Sequence, residues 1–214
     1  MLEIIQSHIF NSAHTERSLQ SIGSRWPVHL IDNSFSGEMK TYCKRNPNVN
    51  WIRPDTTSLQ SHGIFQWNPL TCAASWNLGL AASASKWTMN VNPDVLLRID
   101  AVDRVMKTLR DRGKNIDLFR SEIGFNIWIG KTAVLQELGG FDDRFQPAGG
   151  EDEDMMVRIS QAGLKWSPIS VPAYHVDGGH LSRVGGYLTE TFRQKWDFVP
   201  NGPEYKAIVS GGRA

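Results

Sequence analysis

Apolar residues fall along this chain in two alternating rhythms. From Leu2 to Phe10 the run carries Ile4, Ile5 and Ile9 and predicts a first strand. A short helix is expected around Leu19 and Ile22, closed by Gly23, and a second strand over Pro27–Asp32. Met39–Lys44 is predicted helical, Val49–Ile52 a third strand, and Arg53–Gln66 an irregular polar loop. Asn68-Pro69 reads as a helix start, after which Leu70, Ala73, Ala74, Leu80, Ala81 and Ala84 share one face with Asn77. Trp87, Met89 and Val91 then alternate with Thr88, Asn90 and Asn92, the period of a strand that Pro93 stops.

The same two rhythms continue to the end. A helix through Val102, Val105, Met106 and Leu109 ends at Gly113, followed by strands at Ile116–Phe119 and Phe125–Ile129 and a helix over Thr132–Leu138. Glu151 opens another helix that Gly163 closes, Trp166–Val171 is a last strand, and Thr189–Trp196 a closing helix. Residues 201–214 read as a loose tail. Strands alternating with helices predict an α/β fold, a mainly parallel sheet covered by helices on both faces.

Composition changes little in this picture. The 214 residues suit a single domain, with a nucleotide-binding part over about 1–95 and an acceptor-side part over about 96–200. A net charge of +1 without a basic run offers nothing to nucleic acid. Cys43 and Cys72 make neither a disulfide framework nor a zinc motif, which with no signal-peptide pattern and no membrane-length apolar run predicts a cytoplasmic location. No glycine-rich turn follows the first strand and no Gly-x-x-x-x-Gly-Lys-Ser/Thr occurs, which argues against a dehydrogenase or a P-loop NTPase.

Polar residues cluster where strands end. In an open α/β sheet ligands collect beyond the carboxyl ends of the strands. Asn92 and Asp94 lie there and are hard oxygen donors suited to Mg²⁺ or Mn²⁺. Asn-Pro-Asp is equally ordinary turn chemistry. Asp32 ends the second strand, placed for a ribose hydroxyl, a turn or a helix cap. Asn77, among small apolar neighbours, needs a partner, either a ligand or the backbone, and Gly79 permits a close approach. Glu151, Asp152, Glu153 and Asp154 suit a helix N-terminus. Within that run Asp154 can pair with Arg158, which leaves Asp152 as the carboxylate aimed into a cleft. His175 and His180 follow the last strand, as metal ligands or as loop residues.

Asp32-Asn33-Ser34, Asn77-x-Gly79, Asn92-Pro93-Asp94-Val95, Gly139-Gly140-Phe141-Asp142, Glu151-Asp152-x-Asp154 with Arg158, and His175 occur in this order. The ordered set, over about residues 28–196, resembles the nucleotide-sugar-dependent glycosyltransferases of the GT-A fold, and most closely their rhamnosyltransferase-like members. The chain is also similar to chlorella-virus glycosyltransferases that build capsid glycans, for which the location would be the host cytoplasm. The resemblance implies transfer of a hexose or deoxyhexose from a UDP- or dTDP-sugar to a hydroxyl of a glycan or glycoprotein. It implies Mn²⁺ or Mg²⁺ on Asp94 and His175 with Asn92, where the family has its Asp-x-Asp. It implies Asp152 as catalytic base or acceptor contact, and Asp32, Asn77, Asn92 and His180 around the donor. Asn11-Ser12-Ala13-His14 departs from the family's usual loop after the first strand. Inversion and retention both remain open, and so do two rivals: a nucleotidyltransferase, or a catalytically degenerate carbohydrate-binding module.

Overall fold

The computed structural model describes residues 1–9, 11–35, 37–55, 57–59, 65–67, 69–145, 149–176 and 185–214, with the backbone alone in 57–59, 65–67 and 185–189. In chain order it contains β1 (Leu2–His8), α1 (Ser12–Ile22), β2 (Val28–Asp32), α2 (Lys40–Arg45), β3 (Val49–Ile52), β4 (Thr57–Leu59), β5 (Phe65–Trp67) and α3 (Cys72–Ala82). After these come β6 (Trp87–Val91), β7 (Val95–Leu97), α4 (Ala101–Arg112), β8 (Leu118–Ser121), β9 (Gly124–Lys131) and α5 (Thr132–Glu137). The chain ends with α6 (Glu151–Gln161), β10 (Trp166–Ile169), β11 (Ala173–His175), α7 (Gly185–Trp196) and α8 (Pro203–Gly211).

Seven strands form one sheet in the order β10-β8-β9-β6-β1-β2-β3. β3, β2, β1 and β6 run parallel, β9 runs antiparallel between β6 and β8, and β10 is parallel to β8. The sheet is thus mainly parallel and mixed. Its strand order reverses at β1, which lies between β2 and β6, so the carboxyl ends of β1 and β6 flank the crevice of the fold.

Alternation along each strand sends side chains to two cores. Leu2, Ile4, Met89 and Val91 pack with Leu19 and Ile22 of α1 and with Val102, Val105 and Leu109 of α4. Ile5 and Trp128 pack on the opposite face with Trp76 and Leu80 of α3, Met155 and Met156 of α6, and Tyr205 of α8. Each large apolar side chain buried in this way contributes roughly 1.5–3 kcal/mol. α3 lies close against the sheet because Gly79 has no side chain: a Cβ there would come within 2.7 Å of Ile5 Cγ2. The close approach permitted by this glycine is therefore to the sheet.

Several elements differ from expectation. The stretch expected as an irregular loop contains the antiparallel β4–β5 pair. α3 starts later than Asn68-Pro69 suggested: Thr71 caps it, its hydroxyl accepting from Ala74 N at 3.0 Å, and Asn68 lies outside the described residues. The expected loose tail contains α8, with proline in its first turn and Tyr205 and Val209 buried one turn apart. Arg213 beyond it bridges Trp166 of β10. Most consequentially, the chain does not leave the sheet region after Pro93. It forms β7, which pairs antiparallel with β11, with His175 opposite Val95.

Candidate active site at the end of β6

β6 ends in a tight turn. Val95 N donates to Asn92 O at 3.0 Å, with Pro93 and Asp94 as the two central residues. Proline pre-sets the backbone for the first of those positions, which explains the sharp stop. The β7–β11 pair then brings the far end of the chain back. Val176 N donates to Asp94 O at 2.8 Å, and His175 Nε2 lies 2.9 Å from Asp94 Oδ2. The other carboxylate oxygen, Oδ1, is buried with no hydrogen-bond partner among the described residues. An unpartnered buried carboxylate oxygen is costly unless something binds it.

The acidic end of α6 lies near this turn. The Cys72 thiol, at the start of α3, is pushed well up by burial and then by the charges of Glu151, Asp152 and Asp94 together. The same thiol thus senses the β6 turn and the first residues of α6. Glu151 is almost fully buried; burial, then the neighbouring Asp152, raise its carboxyl to about 7. Glu153 is pushed up by burial and by a side-chain hydrogen bond shared with half-buried Asp152. Asp154 pairs with Arg158 at 2.8 Å, as the spacing predicts, and it has no exposed surface.

The other expected donor contacts are occupied within the fold. Asp32 is fully buried. Its Oδ1 accepts from Ser34 N and the Ser34 hydroxyl, and its Oδ2 accepts from Trp51 Nε1 at 2.9 Å and Met39 N at 3.3 Å. That is turn and helix-entry chemistry. Asn77 bonds the Phe141 backbone twice, donating to its O and accepting from its N, both at 2.7 Å. Gly140, at φ +72°, lies so close that a Cβ would come within 2.3 Å of Asn77 Oδ1. Asn77 therefore anchors the Gly-Gly-Phe segment. Asn92, expected as a metal ligand, has both ends of its amide engaged with Asn90 and Asn126. His180 lies outside the described residues.

Among the described residues no group of three or more His, Cys, Asp and Glu side chains is placed to hold a metal ion. Asp94 and His175 supply one hard oxygen and one imidazole nitrogen. Such a pair fits a divalent cation whose remaining positions are filled by water and substrate phosphates, the usual arrangement for Mg²⁺ at nucleotide sites.

The sequence reading missed three features near the site. Asn126, on β9, contacts Asn92 across the end of the sheet. Lys195 of α7 lies 2.7 Å from Asp142 and 2.5 Å from Asp154, tying the helix to the Gly-Gly-Phe-Asp segment and to α6. His8 ends β1, its Nδ1 2.8 Å from the Thr15 hydroxyl, and burial lowers its pKa. Only His8 carried a signal, a histidine at the end of a predicted strand.

No protein-family model matches the sequence, and no curated protein is detectably similar to it. Solved structures are. The chain superposes over 98% of its length on a mannosyltransferase from Pyrobaculum calidifontis in complex with GDP-Man and Mn²⁺, at a TM-score of 0.69 and 15% identity, spanning 68% of that chain. It superposes over 97% of its length on TarS from S. aureus at 0.67 and 10% identity, spanning 42% of that longer chain. A complex of TarS residues 1–349 with UDP is matched over 74% of this chain at 0.58 and 9% identity. At these identities the likeness speaks to architecture. The chain has the GT-A-like fold of these glycosyltransferases, a central mostly parallel sheet between two layers of helices.

Proposed function

We propose that this protein is a metal-dependent glycosyltransferase that moves a hexose or deoxyhexose, of the glucose or rhamnose type, from a UDP- or dTDP-sugar to a hydroxyl of a glycan. The observation that carries the reading is the junction of Asp94 and His175 at the carboxyl end of β6, with one carboxylate oxygen buried and unpartnered among the described residues. The GT-A-like fold and the Mn²⁺ and nucleotide complexes of the solved neighbours support it.

Asp94 and His175 would hold the cation, Mn²⁺ or Mg²⁺. When bound, such an ion neutralises charge on the departing diphosphate. Asp152 accepts the proton of the acceptor hydroxyl in an inverting reaction, or orients that hydroxyl in a retaining one. The turn-building bonds of Asp32 and the Asn77 clamp on Phe141 shape the walls of the crevice. Resemblance in sequence motifs, rather than any contact in the structure, favours rhamnose-type transfer and a viral capsid-glycan setting. Among the described residues no helix is long and apolar enough to cross a membrane.

Incubation with a panel of nucleotide sugars, with Mn²⁺ and after chelation, tests the reading. Release of nucleoside diphosphate from one of them, dependent on the metal, is expected. Release of pyrophosphate from a nucleoside triphosphate and a sugar phosphate would instead identify a nucleotidyltransferase. Metal-independent sugar binding without turnover would identify a carbohydrate-binding module.

A further inference from the structure

Three asparagines link the end of β6 to β9, and the direction of their hydrogen bonds is fixed. Asn126 Nδ2 donates to Ile123 O at 2.8 Å. A backbone carbonyl only accepts, so the Asn126 amide must turn its NH₂ toward Ile123 and its Oδ1 the other way. Asn92 Nδ2 donates to that Oδ1 at 2.8 Å, and Asn90 Nδ2 donates to Asn92 Oδ1 at 2.9 Å. An amide's two ends have nearly the same shape, but reversing any one of the three would set donor against donor or acceptor against acceptor. The carbonyl at one end therefore orients the whole relay. Its far terminus, Asn90 Oδ1, is buried and without a partner among the described residues.

The middle member also carries the turn that presents Asp94. Asn92 N donates to Asn126 O at 2.9 Å, continuing the β6–β9 ladder one step past Val91. Asn92 O receives Val95 N at 3.0 Å, and Gln6 Nε2 and the Ser18 hydroxyl both lie 3.4 Å from it. Side chain and backbone of Asn92 are thus both held, one residue from Pro93 and two from Asp94.

We propose that Asn92 is a positioning residue and not a metal ligand: as the central link of a directional amide relay, it fixes the turn that presents Asp94 to the cation. The proposal rests on Asp94 being a ligand, as proposed above. It explains why an amide stands here. A carboxylate has no donor, so Asp at 92 would face Asn126 Oδ1 with a second acceptor where a 2.8 Å hydrogen bond now lies. Asp94 is then the only carboxylate that this turn offers the ion, which makes retention of the ion depend on the substrate's diphosphate.

A double-mutant cycle between positions 92 and 126 tests this, using Asn92→Asp, Asn126→Ala and both together. Two quantities are read: the Tm of the ligand-free protein, and Mn²⁺ affinity with and without UDP from the electron paramagnetic resonance of the free ion. Asn92→Asp is expected to lower Tm by about 3–10 °C and to weaken Mn²⁺ binding with UDP by about tenfold, although Asp94 and His175 are untouched. In the Asn126→Ala background both effects should shrink, because the opposing acceptor is gone. Asn126→Ser replaces it if the alanine variant does not fold, since a hydroxyl can donate to a carboxylate. Tighter Mn²⁺ binding by Asn92→Asp, whatever stands at 126, would make Asn92 a ligand position and overturn the proposal. Additive effects on Tm would overturn the relay. A wild-type protein that takes up no Mn²⁺ with UDP would overturn the role of Asp94 itself, and the Tm cycle would still decide the relay separately.

Discussion

His175 Nε2 lies 2.9 Å from Asp94 Oδ2, although 81 positions separate the two residues. Neither residue reaches the other by local geometry. A turn closed by Val95 aims Asp94, and the β7–β11 ladder, with His175 opposite Val95, delivers the imidazole. Replacing Asp94 by Ala removes the proposed oxygen ligand from a side chain that is 31% exposed, so little packing is lost. Titration calorimetry should show Mn²⁺-dependent binding of nucleotide abolished, with Tm changed by no more than a few degrees. His175→Ala should weaken that binding by about tenfold, the scale seen when one member of a metal's surroundings is lost.

Asp152→Asn separates binding from chemistry. The variant should bind donor and Mn²⁺ as the wild type does while kcat falls by about 10²–10⁴-fold, the usual contribution of a positioned general base. Rates against acceptor concentration, set beside donor affinity from calorimetry, check this. Undiminished turnover would remove Asp152 from the mechanism.

The local part of this arrangement was legible in the sequence. Trp87 to Val91 alternate as a strand should, Pro93 marks the stop, and Asp154 and Arg158 pair at four-residue spacing. Two parts were not. Three-residue strands such as β7 and β11 are too short to show a period, and their pairing joins distant segments, so no local pattern placed His175 opposite Val95; only the family resemblance brought His175 to Asp94. Polar side chains near strand ends were ambiguous for a different reason. Asp32, Asn77 and Asn92 satisfy backbone or side-chain groups of their own fold, and residue type alone does not say whether an amide or carboxylate meets protein or ligand. α8 did carry a signal, Pro203 at a helix start and Tyr205 four residues before Val209, but the glycines at 211 and 212 masked it.

Glu151 makes stability depend on pH. Burial, then Asp152, raise its carboxyl from an ordinary 4.5 to about 7. Between these values the folded chain keeps a proton that the unfolded chain has released, so stability falls as pH rises through that window. Above pH 7 the penalty is complete. Glu151→Gln keeps an acceptor for Gly149 N and has no proton to lose. Urea denaturation at pH 5 and pH 8 should therefore show a smaller decline for Glu151→Gln than for wild type, by about 1–3 kcal/mol. Equal declines would mean that Glu151 ionises freely.

Asp154 ties α6 to α7. With no exposed surface, it accepts from Arg158 Nε at 2.8 Å and Trp196 Nε1 at 2.8 Å and lies 2.5 Å from Lys195 Nζ. Asp154→Ala leaves those donors facing one another without their anion. Chemical denaturation should register a loss of about 3–5 kcal/mol, the typical consequence of removing one partner from a buried ion pair. A loss below about 1 kcal/mol would mean that the cluster is solvated.

The site as a whole rests on one cation held where β6 ends. Anomalous diffraction at the manganese edge, from crystals soaked with Mn²⁺ and UDP, observes it directly. The account predicts a single strong peak in coordination contact with an Asp94 carboxylate oxygen and His175 Nε2, and none in contact with Asn92 Oδ1. A peak elsewhere in the crevice, or nucleotide bound with no peak at all, would contradict it.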